Sequence, residues 1–117
     1  MRVHRILANV RVSDLEEAKR FYADFLGLSH VAFDLGWVAR VGSPDSSAEL
    51  QLVTRDAEAA EDAVVSVLAD DIDAAYDEAL QRGYEIVHPL TTESWGVHRF
   101  LVRAPDGNVI NIVEHPN

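Results

Sequence analysis

Ile6-Leu7-Ala8-Asn9-Val10-Arg11-Val12-Ser13-Asp14-Leu15-Glu16-Glu17-Ala18-Lys19-Arg20-Phe21-Tyr22-Ala23-Asp24-Phe25-Leu26-Gly27-Leu28 is a strand and a helix joined without a spacer. Its first seven residues alternate: Ala8, Val10 and Val12 share one face, and Leu7, Asn9 and Arg11 share the other. The period then changes. Ser13 with Glu16 three residues later is a capping-box signature. Leu15, Ala18, Tyr22 and Phe25 recur at helical spacing, with Tyr22 and Phe21 read as core. Gly27 stands where a helix-ending glycine belongs.

Working outward, three strands are expected next, at 28–33, 37–41 and 48–53. Gly36 and the run from Gly42 to Ser47 supply the turns. The polar stretch from Arg55 to Asp62 reads as a solvated linker. The order then returns. A strand at 64–68 leads to a helix with Asp70 as N-cap and Ile72, Ala75, Tyr76, Ala79 and Leu80 as its apolar face. Strands are expected at 84–88, 98–103 and 108–114, with Ala104-Pro105-Asp106-Gly107 as a turn before the last. Asp70 to Gly83 spans the same thirteen residues as Asp14 to Gly27, so duplication is the economical explanation. The fold class expected is α+β. One domain over 1–117 is built from two βαβββ modules, 1–56 and 61–117, whose curved mixed sheet encloses a cleft.

Composition narrows the function. Of the 117 residues 48% are apolar, enough for a real core in a domain this small. A formal charge of −10 repels phosphates, which argues against nucleic acid and anionic membrane as partners. No cysteine is present, which excludes disulfides and thiolate metal sites and fits a cytoplasmic protein.

Val12-Ser13-Asp14-Leu15-Glu16-Glu17-Ala18, followed by Phe21-Tyr22 and Leu26-Gly27-Leu28, resembles the signature of the glyoxalase / bleomycin-resistance / dioxygenase (vicinal oxygen chelate) superfamily. Pro105-Asp106-Gly107-Asn108-Val109-Ile110-Asn111-Ile112 is similar to the family's closing motif, with Ala104 in place of the usual acidic residue before the proline. The resemblance implies homodimers with cavities lined by both sheets. It also implies two kinds of function: metal-dependent enzymes that chelate adjacent substrate oxygens, and metal-free proteins that sequester a drug.

In metal-dependent relatives the ligands come from four strands, and those positions fall here on Leu7, on Glu49 or Gln51, on Val64 and on Asn111. Leucine and valine have no donor atom, so no metal and no cofactor are expected. The five histidines, His4, His30, His88, His98 and His115, are read as surface or edge residues. The cavity wall expected from the resemblance includes Leu7, Asn9, Arg11, Glu49, Gln51, Ser66 and Asn111, with Trp37, Trp95 and His98 near its mouth.

Several of these residues have a second reading. Trp37 suits an edge or dimer contact, Asn9 and Asn111 can bond each other or water, and Arg11 can pair with Glu49. The expected function is metal-free binding of an aromatic or cationic small molecule in a dimer cleft, of the bleomycin-resistance type. The alternative is a glyoxalase-type lyase or isomerase, with Glu49 as catalytic base or with an atypical divalent-metal site.

Overall fold

A computed structural model describes residues 1–114; His115, read above as a tail histidine, lies outside the described residues. The fold is α+β, with eight strands and two helices. The chain clusters into two compact units: Leu7–Ala57, and Met1–Ile6 with Glu58 onward.

In the first unit, β1 (Arg2–Arg11) enters with its last residues and leads to α1 (Leu15–Asp24), β2 (His30–Asp34), β3 (Val38–Gly42) and β4 (Glu49–Val53). The strand order is β2-β3-β4-β1. β1 lies parallel to β4 with Asn9 opposite Gln51, and β3 lies antiparallel to β4 with Arg40 opposite Gln51. Alternation sends Ala39, Val41 and Leu52 to one face, where they bury against Leu15 with Val10, Val12, Ala18, Tyr22 and Leu28 around them. Covering such side chains contributes on the order of 1.5–3 kcal/mol each for the larger ones. Lys19 holds the end of β2 to the helix by pairing with Asp34. That bond, and the Gly36 N–H donated to the same carboxylate, hold Asp34 below the ordinary carboxylate range.

The second unit repeats the plan with β5 (Val65–Asp70), α2 (Ile72–Gln81), β6 (Ile86–Thr92), β7 (His98–Arg103) and β8 (Val109–Glu114). β5 is parallel to β8 with Ser66 opposite Asn111, and β7 is antiparallel to β8 with Leu101 opposite Asn111. α2 buries Ile72, Ala75 and Ala79 against Phe100 and Ile112. Both helices close on a left-handed glycine, Gly27 at φ 75° and Gly83 at φ 73°. The linker contains no helix, and Arg103 fastens it through Glu61 at 2.5 Å. Neither helix is long and apolar enough to cross a membrane.

The structure corrects several expectations. α1 is capped by Asp14, which accepts from the Glu17 N–H at 2.9 Å, and not by Ser13. Asp14 and Glu17 have the same spacing as Ser13 and Glu16, so the box reads one residue late. α2 starts after Asp71, not Asp70, and Asp71 sits in the left-handed region at φ 60° without a side-chain cap bond. Phe21 and Phe25 are 55% and 77% exposed, not core. Four residues apart with ring centroids 5.6 Å from one another, the two rings stand beside the face that Leu15, Ala18 and Tyr22 turn to the sheet, where Leu28 packs. Leu80 likewise points outward. The sixth strand runs 86–92 rather than 84–88.

Asp14→Ala is expected to cost about 1 kcal/mol in chemical denaturation, against less than about 0.5 kcal/mol for Ser13→Ala. Equal losses would show that the cap is shared.

Candidate functional site

The faces turned away from the helices carry the polar chemistry. In the first unit one rung of side chains crosses four strands: Phe33 opposite Arg40, Arg40 opposite Gln51, and Gln51 opposite Asn9. Arg40 and Gln51 are buried, and Asn9 is half-buried. Arg40 donates to Gln51 Oε1 from Nε at 3.3 Å and from Nη2 at 3.2 Å. Gln51 Nε2 donates onward to Asn9 Oδ1 at 2.7 Å. The Arg40 guanidinium lies over the Phe33 ring, 4.8 Å from its centroid. A guanidinium, two carboxamides and a phenyl ring therefore form one ordered row. The row fixes the tilt of Gln51, because one amide end only accepts and the other only donates.

The corresponding rung of the second unit runs His88, Leu101, Asn111, Ser66. Asn111 and Ser66 are buried, and Asn111 Nδ2 donates to Ser66 Oγ at 3.0 Å. Asn111 Oδ1 has no protein donor within reach. A buried carbonyl in that state is an acceptor ready for an N–H or O–H group. Two residues along β7 from Leu101, Arg99 is 2% exposed and bonds Glu93 at 2.9 Å, and its guanidinium lies 5.2 Å from the centre of the Trp95 ring.

Of the residues singled out in the sequence, Asn9 and Gln51 come together in one rung, and Ser66 and Asn111 in the other. Leu7 is buried at 2% exposure on the same strand as Asn9. Glu49 is half-buried on β4 and Arg11 is exposed on β1. Trp37 precedes β3, half-buried, and its carbonyl accepts from the Thr54 N–H and hydroxyl. His98 departs from the group. It lies between Thr92 Oγ1, 2.9 Å from Nδ1, and Asp73 Oδ1 of α2, 3.4 Å from Nε2. Alternation along β7 places His98 with Phe100, which packs on α2, and not with Leu101. His88, expected at a surface or an edge, lies on the end strand β6, with its side chain 14% exposed and 3.3 Å from Glu93.

Sequence reasoning passed over Arg40, Arg99 and Glu93. The signal was present: each arginine alternates with apolar neighbours inside a strand, Ala39 and Val41 for one, Phe100 for the other.

A divalent ion at the positions the resemblance implies fits these residues poorly. Leu7 and Val64 offer hydrocarbon, Gln51 is engaged by Arg40 and Asn9, Asn111 is engaged by Ser66, and Glu49, the other candidate on β4, is a single carboxylate. Among the described residues no three His, Asp or Glu side chains converge as a ligand set.

The family model for the Glyoxalase/Bleomycin resistance protein/Dioxygenase superfamily matches residues 2–112. Solved structures agree on the fold. An uncharacterised protein from Methanosarcina mazei is 25% identical with TM-score 0.69, covering 99% of this chain and 95% of its own. The methylmalonyl-CoA epimerase of Mycobacterium tuberculosis is 20% identical with TM-score 0.72, covering 98% and 90%. A glyoxalase/bleomycin resistance protein/dioxygenase superfamily member from Vibrio splendidus 12B01 is 17% identical with TM-score 0.69, covering 94% and 97%. No match is found among curated proteins.

Arg40→Met keeps the length of the side chain and removes both bonds to Gln51. It is expected to lower the unfolding free energy by about 1.5–3 kcal/mol in a urea titration. A loss under about 0.5 kcal/mol would show that the rung contributes little to the fold.

Proposed function

Because the chain belongs to the glyoxalase/bleomycin resistance protein/dioxygenase superfamily, we propose that it is a metal-independent small-molecule-binding protein of the bleomycin-resistance type. It would act in the cytoplasm as a homodimer. One observation carries the reading: Leu7, a residue without a donor atom, is buried where metal-dependent relatives place a ligand. Val64 repeats the loss in the second unit, and the amides at the remaining positions already hold protein partners.

What these faces offer a ligand is shape and hydrogen bonding. Asn111 Oδ1 accepts, and Trp95 supplies an aromatic surface. The Trp95 ring already has a guanidinium against it, which favours a neutral aromatic compound over a cationic one. The ligand class is therefore a planar aromatic molecule bearing an N–H or O–H donor. For the dimer, Phe21 and Phe25, 5.6 Å apart and largely exposed beside Leu26, form an apolar patch that a second copy would cover.

Titration with a panel of such compounds is expected to quench tryptophan fluorescence saturably, with dissociation constants at or below about 10 µM. Trp95→Phe should weaken the best binder about tenfold, the scale of one aromatic contact. A panel that leaves the emission unchanged contradicts the reading. Turnover of a glyoxalase-type substrate, lost in Glu49→Gln with the fold intact, would replace it by a lyase or isomerase.

A further inference from the structure

Four side chains of the second unit form a charged cluster that ligand binding does not itself require. Arg99 and Glu93 have side chains only 2% and 3% exposed. Glu93 Oε2 accepts from Arg99 Nη2 at 2.9 Å and from Nε at 3.2 Å. The other oxygen, Oε1, lies 3.3 Å from His88 Nε2. The guanidinium carbon lies over the Trp95 ring, 5.2 Å from its centroid. Glu93 also closes the loop that carries this tryptophan: its N–H donates to the Val97 carbonyl at 2.8 Å, and its carbonyl accepts from the Gly96 N–H at 2.9 Å.

Taking two charges out of water opposes folding, and a buried ion pair is often replaceable by hydrocarbon without loss of stability. Stability alone therefore gives a weak account of the pair. Its geometry gives a better one. A guanidinium is planar and rigid, and its edge is fixed here by two bonds to one carboxylate. The guanidinium so held lies over the Trp95 ring.

We propose that Glu93 is a positioning residue: acting through Arg99, it sets the orientation of the Trp95 indole. Arg99 covers one side of the ring and Glu93 balances its charge, so an aromatic compound meets the ring on its other side. That consequence rests on the binding reading above, whereas the positioning itself does not.

The test uses the full chain labelled with 5-fluorotryptophan, which gives two ¹⁹F resonances, those of Trp37 and Trp95. Trp95→Phe assigns them. Glu93→Gln keeps the shape and removes the charge. The double variant Glu93→Leu/Arg99→Met removes the pair without leaving a buried charge behind. Both are expected to shift or broaden the Trp95 resonance while that of Trp37 stays within its linewidth. The double variant should also weaken the best aromatic binder about tenfold.

A Trp95 resonance unmoved in the folded double variant overturns the proposal. Unfolding of both variants would overturn it too, because the pair would then serve stability. A displaced Trp95 resonance in a protein that binds no aromatic compound leaves the positioning intact and removes only the binding reading.

Discussion

Every strand of this protein has to satisfy two faces at once, and the buried polar groups on the helix-free faces are the stricter demand. Apolar residues facing a helix tolerate exchange, because hydrophobic contact has no direction. A buried amide tolerates little, since each atom left without a partner costs roughly 1–3 kcal/mol. Gln51 meets that demand by receiving two bonds from Arg40 and giving one to Asn9. The register of β1, β3 and β4 is thereby tied to three side chains. A slip of one residue would turn all of them into the helix core.

The two units meet the same demand with different chemistry. Their registers match rung for rung: Asn9 and Gln51 correspond to Ser66 and Asn111, and Arg40 corresponds to Leu101. In the first unit the guanidinium lies inside the rung and engages the amide. In the second it lies on the neighbouring pair, Arg99 opposite Val113, and engages Glu93 and Trp95. Asn111 is left with one bonded nitrogen and one waiting oxygen. Matching registers with unequal rungs give one unit a closed polar row and leave the other a buried acceptor at Asn111. This difference is the physical basis for reading the protein as a binder.

Much of this was legible in the sequence because the deciding signals are local. The alternation from Ile6 to Val12, the helical spacing after Asp14 and the glycines Gly27 and Gly83 that close the helices each depend on residues close in the chain. Counting in twos likewise puts Asn9, Gln51, Ser66 and Asn111 on the faces turned away from the helices. What was not legible depends on where an element stops or on a partner far along the chain. Asp70 has the look of an N-cap but is the last residue of β5, so α2 begins after Asp71. Arg40 looks like a solvent-facing strand residue until Gln51, eleven residues away, is seen beside it. His98 is in the expected strand, yet parity sends it toward Asp73.

On the proposed reading Leu7 packs in the core, Val64 is exposed hydrocarbon, and Gln51 and Asn111 serve the protein's own hydrogen bonds at the positions where the resemblance implies metal ligands. Metal content measures this most directly, on protein purified without chelators and without an affinity tag that sheds metal. Less than about a tenth of an equivalent of zinc, nickel, manganese or iron is expected, because complete nitrogen and oxygen sites retain such ions. Close to one equivalent of any of them would contradict the account, and it would mean that Glu49, Gln51, Asn111 or the histidines rearrange into a site that their present bonds do not suggest.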